Sequence, residues 1–300
     1  MQGIVLGDVS ITRVVEYHGT IELAPAAFFP EAPPDAWRQH AQWLEPDFVD
    51  PASQECVLVV QTWVLRSEGR TVLVDTGVGN HKSRPHSAVW NGLDTDFIGA
   101  LGRAGVRPED VDVVVNTHLH IDHVGWNTRL DDGAWVPTFP NATYLLPRRD
   151  VDFWDPANGH VPRVGRANEN VFEDSVAPVV DAGQALLWDG RHTIDGNLAL
   201  ELAPGHTPGS SVVVLESGSD RALFVGDMLH SPLQFVAPDV NSCFCEDGAG
   251  ARASRRRLFE RANDTNALVV PAHLAGSGAA EVVRDGAGFA IRAWGPFPRV

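Results

Sequence analysis

The chain has 300 residues, of which 44% are hydrophobic and 21% charged, and its formal net charge is −16 at pH 7. This composition is that of an ordinary globular protein with one large core. The 39 acidic side chains outnumber the 23 basic ones, so the chain repels polyanions and we expect no nucleic-acid partner. The dense basic run at residues 252–261 is interpreted as a solvated helix face.

The periodicity of the apolar residues predicts strands with several helices between them. Strands are predicted in residues 4–23 (two of them, separated near Gly19), 57–65, 71–74, 111–115, 198–202, 211–215, 222–225 and 268–270. Helices are predicted in residues 94–104, 147–154 and 250–262, the first ending at Gly105 and the second opening at Pro147. This mixture indicates layered sheets with helices outside them. We expect residues 1–300 to form a single domain, because neither a repeat nor an obvious linker interrupts the chain.

The segment 24–55 differs from its surroundings. Six prolines interrupt it, and five large aromatic side chains are distributed along it. A long segment of this kind inside a compact domain is more often a functional lid or binding loop than a plain connector. A surface loop pinned by its aromatic residues, or a dimer contact, fits the pattern equally well.

No segment of the sequence indicates a membrane or an export pathway. None approaches the roughly 20 consecutive apolar residues of a membrane span. Residues 1–8 have neither a basic start nor a long apolar stretch, so we expect no signal peptide. Three cysteines provide no disulfide framework, which fits a reducing compartment. We therefore expect a cytoplasmic protein without a membrane partner.

A β-branched run leads directly into four side chains of the kind that bind metals. His118 and His120 are two apart on an extended segment and so point to the same side. Asp122 and His123 follow where the chain must turn. One tetrahedral ion cannot easily accept all four from so short a loop, whereas two adjacent ions can. Imidazole and carboxylate together suit zinc, although iron, manganese and cobalt accept the same donors.

Three later strands also end in ligand-type residues. The strand at 198–202 leads to His206, the strand at 222–225 to Asp227, and the strand at 268–270 to His273. Four apolar strands that each deliver a donor at one end indicate a site along one rim of a sheet sandwich. The remaining histidines are first interpreted as structural: His18, His40, His81, His86, His160, His192 and His230.

These residues resemble the metallo-beta-lactamase superfamily, whose signature matches the stretch from His118 to His123. The resemblance extends from about Val57 to His273 and implies an α+β fold, a four-layer αββα sandwich with two metal ions at one edge. By this resemblance the first ion is held by His118, His120 and His206, the second by Asp122, His123 and His273, and both by Asp227. It also implies that Asp75 supports the ligands without binding metal.

Asp227 narrows the resemblance to certain branches. Well-known β-lactamases use a cysteine at that position, whereas lactonases, phosphotriesterases, thioesterases and nucleases use an aspartate. The stretches 117–127 and 226–234 are similar to the quorum-quenching lactonase and methyl-parathion-hydrolase-like branch. A tyrosine of some lactonases that contacts the substrate carbonyl is replaced here by His230, which would donate to that oxygen, shuttle a proton or orient Asp227. Cys243 and Cys245 are interpreted as structural thiols, and alternating cysteines that line the mouth of a pocket are the other interpretation of this pair.

The resemblance implies a hydrolase in which two divalent ions, zinc as first choice, activate a bridging hydroxide. Asp122 is the candidate proton carrier and His230 the reserve. The first-choice substrate is a small lactone such as an acyl-homoserine lactone, with an organophosphate or aryl ester, or a thioester, as alternatives. A relic-fold binding protein is the non-enzyme alternative, and the complete ligand set argues against it. A flavin-coupled di-iron protein would need a further domain, for which His273 leaves little chain. By analogy with relatives, the chain is expected to form a homodimer.

Overall fold

Two seven-stranded sheets lie face to face in the computed structural model, which describes residues 3–300. Across the first sheet the strands follow the order β1 (Ile4–Leu6), β2 (Val9–Thr20), β3 (Val57–Ser67), β4 (Arg70–Val74), β5 (Val113–Val115), β8 (Thr143–Pro147) and β9 (Ala185–Trp188). Between them in sequence, β6 (Thr128–Asp131) and β7 (Ala134–Pro137) form a separate hairpin. Met1 and Gln2 lie outside the described residues. Both the prediction of no signal peptide and the prediction of a single domain include these two residues.

The second sheet uses the last third of the chain. Its order is β10 (Arg191–Thr193), β11 (Leu198–Leu202), β12 (Ser211–Ser217), β13 (Asp220–Gly226), β14 (Leu268–Pro271), β15 (Ala280–Asp285) and β16 (Gly288–Trp294). Alternate residues of the two sheets meet in one shared core, in which Trp63 and Val74 of the first sheet pack with Leu200 and Phe224 of the second. Burial of this apolar surface between the sheets is the main source of their stability.

Helices cover the outer face of each sheet. The helices are α1 (Pro25–Phe28), α2 (Ala36–Gln39), α3 (Ala41–Leu44), α4 (Phe97–Arg103), α5 (Arg148–Trp154), α6 (Ala177–Asp181), α7 (Leu233–Val236) and α8 (Gly248–Thr265). On the first sheet α4, α5 and α6 bury an apolar face against Leu73 and Val114, and on the second sheet α7 and α8 do so against Leu223 and Val269. The predicted four-layer αββα sandwich is therefore confirmed.

Strand direction brings several strand ends to one rim of the sandwich. β4 and β5 run parallel in the first sheet, and β13 and β14 run parallel in the second. Because β12 is antiparallel to both β11 and β13, β11 runs in the same direction as β13. The carboxyl ends of these strands therefore point the same way within each sheet, as the sequence analysis predicts for the candidate ligands.

Several predicted boundaries were wrong. The break in residues 4–23 lies at Gly7, not Gly19, because Gly7 turns with φ +57° and its N–H donates to Asp220 Oδ2, whereas β2 continues through Gly19 to Thr20. The helix predicted from residue 94 begins at Phe97. Pro147 ends β8 and precedes α5 as its N-cap residue.

Segment 24–55 forms three short helices joined by turns. Its Phe28 and Phe29 pack on Leu58, and its Leu44 and Phe48 pack in the core beneath the second sheet. The segment is thus attached to the domain through buried aromatic contacts, and its role as a lid or a dimer contact stays a prediction. No helix in residues 3–300 is both long enough and apolar enough to cross a membrane.

Candidate metal centre

The structure brings all seven predicted ligand residues together at the rim. The loop after β5 carries four of them, and the ends of β11, β13 and β14 lead to the other three. Among residues 3–300, their donor atoms fall into two groups, within each of which all atoms lie within 4.8 Å of one another. The first group is His118, His120, His206 and Asp227, and the second is Asp122, His123 and His273.

In the first group three imidazoles face one point. His120 Nδ1 lies 3.1 Å from His118 Nε2 and 2.9 Å from His206 Nε2. Burial lowers the pKa of His118 and His206 well below the usual value and that of His120 to about 4. These rings are therefore neutral, and the lone pairs that they direct at one another are the donors that a divalent cation needs.

In the second group two imidazoles meet a carboxylate. His123 Nε2 and His273 Nε2 are 3.1 Å apart, and Asp122 oxygens lie 3.6 Å and 3.5 Å from them. Burial lowers the pKa of both rings, but Asp227 and the other nearby carboxylates outweigh it, so that the pKa of His123 is raised well above its usual value and that of His273 is raised. The carboxylates thus favour a positive charge between His123 and His273, and a bound cation would supply that charge in place of a proton.

Asp227 faces both groups with different oxygens. Its Oδ2 lies 3.3 Å from His206 Nε2 and 3.7 Å from His118 Nε2. Its Oδ1 lies 3.2 Å from His123 Nε2 and 3.0 Å from His273 Nε2. One carboxylate oxygen directed at each group is compatible with the bridging role predicted for Asp227.

The donor set fits a pair of divalent metal ions. His120 Nε2 is buried without a hydrogen-bond partner among the described residues. Its Nδ1 faces the Nε2 atoms of both His118 and His206, and a neutral ring nitrogen offers either one proton or one lone pair, so that hydrogen bonds among the three rings cannot satisfy all of these nitrogens, whereas a shared cation accepts a lone pair from each. Nitrogen and carboxylate donors without a thiolate suit zinc, iron, manganese or cobalt.

Asp75 organises the ligands from behind, as expected. Its carboxylate accepts hydrogen bonds from Thr117 N at 2.7 Å and Thr117 Oγ1 at 2.9 Å, and its Oδ2 lies 2.9 Å from His123 Nδ1. His273 Nδ1 similarly lies 2.9 Å from the carbonyl oxygen of Val59. These oxygens accept from the Nδ1–H tautomer and so direct both Nε2 atoms toward the candidate metal position.

His230 contacts the bridging candidate. Its Nε2 lies 3.0 Å from Asp227 Oδ2, its backbone N–H donates to Gln234 Oε1, and its ring meets Phe28 edge-on. Because Asp227 Oδ2 only accepts when ionised, the ring nitrogen at this contact is the N–H donor. His230 Nδ1 has no hydrogen-bond partner within residues 3–300. This contact fits the predicted role in orienting Asp227, and the substrate-facing roles stay predictions.

A cavity of about 410 Å³ opens from the two groups. Asp122, His120, His206, Asp227, His230 and His273 line its metal end. The rest of its wall is mainly apolar and includes Ile21, Leu23, Phe28, Leu58, Val89, Trp90, Ile121, Val164 and Phe244. Neither lysine nor arginine occurs among the described residues that line it. The space thus suits a small, largely apolar molecule next to the candidate metals.

Sequence reasoning missed most of the cavity wall. The segments 86–90 and 164–168 contribute to it although neither carries a motif, and His86 was interpreted as structural. From segment 24–55 only Phe28 lines the cavity. Cys243 also lines it, and Cys245 Sγ lies 3.8 Å from His206 Nδ1, so both thiols are closer to the site than a purely structural role implies.

The comparisons with known proteins agree with this geometry. Residues 57–273 match the family model described as the Metallo-beta-lactamase superfamily. An N-acyl homoserine lactonase from a Bacillus species is 24% identical over 53% of this chain and 59% of its own length. An N-acyl homoserine lactonase from Azorhizobium caulinodans is 27% identical over 47% of this chain and 50% of its own length. The chain therefore spans about three-fifths or less of the length of these curated relatives.

Solved structures share the fold over nearly the whole chain. A probable metal-dependent hydrolase from Staphylococcus aureus has a TM-score of 0.79 and 17% identity, covering 97% of this chain and 98% of its own. The dizinc quorum-quenching lactonase AidC, in complex with a product, has a TM-score of 0.74 and 22% identity, covering 100% and 97%. The predicted fold and family are both confirmed: the chain belongs to the metallo-beta-lactamase superfamily.

Proposed function

We propose that this protein is a hydrolase that uses two divalent metal ions, zinc as first choice, to cleave an ester-type bond in a small uncharged molecule. An N-acyl homoserine lactone is the first-choice substrate. The observation that carries the proposal is the position of Asp227, whose two oxygens face two separate donor groups at the end of a mainly apolar cavity. The alternative of a non-catalytic relic does not account for a complete donor set that opens onto a cavity.

The proposed ligands divide as the two donor groups do. His118, His120 and His206 would hold one ion, Asp122, His123 and His273 the other, and Asp227 both. When bound, a pair of such ions supplies an activated water nucleophile at neutral pH and electrophilic stabilisation of the negative charge that develops on the substrate oxygen.

Two residues of the chain are proposed to act on protons or on the substrate. Asp122 lines the cavity and is the most exposed of the seven candidate ligands, so its carboxylate is placed to accept a proton and pass it to the leaving alkoxide. His230, in the loop between β13 and α7, lines the same end of the cavity. Its Nε2–H donates to Asp227 and would hold that carboxylate in place, and a donor contact with the substrate carbonyl would require a second proton on its Nδ1.

The cavity wall supports a neutral, apolar substrate. Side chains such as Leu23, Phe28 and Trp90 bury an acyl chain favourably, since apolar surface leaves water there. A carboxylate or phosphate on the substrate would find no lysine or arginine among the lining residues that the structure describes. The relatives named N-acyl homoserine lactonases, and the AidC complex with its product, support this choice among esters.

The test is proton release, measured by pH-stat from zinc-loaded protein with N-hexanoyl- and N-decanoyl-homoserine lactone. We expect turnover of both, and none above background from His120→Ala. A fully metallated protein that hydrolyses neither lactone but cleaves a neutral phosphotriester or an aryl ester would replace the lactone by that substrate. Turnover of a thioester alone would select the third alternative.

Three further proposals concern the domain organisation, the oligomeric state and the location of the chain. Residues 1–300 are proposed to form one domain, since the shared core includes strands from both ends of the chain. A homodimer with segment 24–55 at its interface rests on analogy alone. Residence in the cytoplasm rests on the low cysteine content.

A further inference from the structure

We propose that Asp150 is a positioning residue that sets the metal affinity of the first donor group, His118, His120 and His206, more than that of the second. The inference rests on the proposed metal binding at this site. It concerns a carboxylate that belongs to neither donor group, lies in α5 and is 0% exposed.

The Asp150 carboxylate joins the two loops that carry the first group. Its Oδ2 accepts hydrogen bonds from Leu119 N at 3.0 Å and from Thr207 Oγ1 at 2.8 Å, and its Oδ1 accepts from Gly209 N at 2.5 Å. Leu119 lies between His118 and His120, and Thr207 directly follows His206. One side chain therefore fixes the loop after β5, in the first sheet, relative to the loop after β11, in the second sheet.

An ordinary explanation for Asp150 is stabilisation of its own helix, since it lies in the first turn of α5. However, α5 has only 7 residues, and all the hydrogen bonds of the Asp150 side chain go to the two ligand loops. Burial raises the pKa of Asp150 to about 6, although Thr207, Gly209 and Leu119 lower it. A carboxylate is thus costly at this position, and its hydrogen bonds to the loops are what it contributes there.

The sequence of the second loop is adapted to this contact. A Cβ atom on Gly209 would lie 2.7 Å from both the backbone nitrogen and Oδ1 of Asp150. Gly209 has no positive φ, so its backbone conformation does not require glycine. The absent side chain instead lets the His206 loop approach Asp150 closely. Gly209 thereby provides a second way to disturb the same junction, without altering the carboxylate.

The second donor group has different supports. His123 Nδ1 faces Asp75, and His273 Nδ1 faces the carbonyl oxygen of Val59. Asp150 forms no hydrogen bond with either residue among the contacts of residues 3–300. Helix α5 also approaches the first group through Trp154, whose ring centroid lies 5.3 Å from that of His120. Loss of Asp150 should therefore weaken the first metal site more than the second.

The experiment measures zinc affinity by competition with a chromophoric chelator, together with zinc content after dialysis. Asp150→Ala, Asp150→Asn and Gly209→Ala are compared with wild type and with Glu16→Gln. The Glu16 carboxylate also accepts backbone N–H groups, but its hydrogen bonds go to Val78, Gly79, Thr95 and Trp126 and not to residues 118–120 or 206–209. We expect Asp150→Ala and Gly209→Ala to keep one tight zinc and to bind the other 10–100-fold more weakly, the usual effect of removing an outer partner. Asp150→Asn should lie between them and wild type, and Glu16→Gln should keep both sites.

Double variants assign the weakened site. His206→Ala is expected to hold one zinc with or without Asp150→Ala, because the first group is already broken. In His273→Ala, the addition of Asp150→Ala should weaken the zinc that remains. Circular dichroism and urea unfolding of the metal-free variants identify those that are folded. If Asp150→Ala does not fold, Asp150→Asn and Gly209→Ala replace it in the test.

Equal weakening of both zinc ions in folded variants, or wild-type affinity in all three, would overturn the role of Asp150. Wild type that binds two zinc ions tightly yet hydrolyses no lactone would instead refute the proposed substrate and leave the role of Asp150 intact. The two failures are thus distinguished by zinc binding and turnover measured on the same preparations.

Discussion

His230 Nε2 lies 3.0 Å from Asp227 Oδ2, the same oxygen that faces the first donor group. The donor at this contact is the histidine, so the imidazole holds the shared carboxylate in place while its ring lines the cavity. The chain thus has a histidine that donates to Asp227 at the place, three residues beyond this aspartate, where some lactonases of the resembling branch have a tyrosine.

Replacement of His230 tests this contact. His230→Phe removes the donor, and we expect turnover to fall about 100-fold, within the range of groups that assist in the transition state. His230→Gln keeps an N–H donor, and we expect it to retain activity within about tenfold of wild type. Both variants are assayed with N-hexanoyl-homoserine lactone and analysed for zinc, which should remain at two per chain. Equal, large losses in both variants would favour proton transfer by His230 over hydrogen bonding.

Removal of metal should affect both activity and stability. Five buried imidazoles and two carboxylates converge at the rim, and ions that bind them only in the folded state add to its stability. Chelation is expected to abolish turnover and to lower the Tm, and added zinc should restore both. Asp227→Ala should bind less than one tight zinc and show no zinc-dependent shift in Tm. Two retained zinc ions in this variant would contradict the ligand assignment.

Much of the fold and the donor set could be predicted from the sequence, for local reasons. The donors lie in the loops that follow apolar strands, as His206 lies in the loop after β11, so periodicity and residue type identify both the strands and the donors. The first-sheet strands β8 and β9 and the last hairpin, β15 with β16, were missed. A strand as short as β9, whose four residues are all apolar, shows no alternation by which a strand could be recognised.

Long-range contacts were beyond sequence reasoning. Asp150 bonds Leu119, 31 residues away, and Thr207, 57 residues away, and no spacing rule connects these positions. The cavity wall at Trp90 and Val164 likewise arises from loops that meet only after the sheets have packed. The contact of Cys245 with His206 belongs to the same class. The sequence therefore predicted the donors and, by resemblance, their support by Asp75, but not the contacts of Asp150 or the residues that enclose the cavity.

The apolar cavity wall should select against anionic substrates. We expect an acyl-homoserine lactone with a terminal carboxylate on its acyl chain to have a kcat/KM at least about 100-fold below that of the neutral chain of equal length. The reason is that burying a carboxylate beside Leu23 and Phe28 removes it from water without a compensating cation. The comparison is made by pH-stat on one enzyme preparation.

A positive charge introduced into the cavity wall tests the same explanation from the side of the protein. Val89 is partly buried in the cavity wall, and a lysine there can extend its ammonium toward solvent. Val89→Lys is expected to improve kcat/KM for the carboxylate chain and leave the short neutral lactone nearly unchanged. Val89→Met controls for the change in size. Equal use of both chains by wild type would show that the acyl group lies outside this cavity.

The last prediction concerns Glu16, which holds the loop that follows Asp75. Its carboxylate accepts from Val78 N at 2.7 Å and Trp126 Nε1 at 2.6 Å. Burial raises the pKa of Glu16 from 4.5 to about 7, although these donors lower it. Between these values the folded state binds more protons than the unfolded state, so the contribution of Glu16 to stability falls as the pH rises from 4.5 to about 7. Above pH 7 it should stay constant.

Glu16→Gln isolates this effect, since glutamine does not ionise. The free energy of unfolding of metal-free wild type and Glu16→Gln is measured in urea at pH 5, 6, 7 and 8. The histidines titrate alike in both proteins, so their effect cancels in the difference. We expect the variant to be the less stable protein at pH 5, because its amide cannot accept from every donor that Glu16 serves, and to gain on wild type up to pH 7. A difference that does not change with pH would mean that Glu16 is ionised throughout and that its hydrogen bonds outweigh burial.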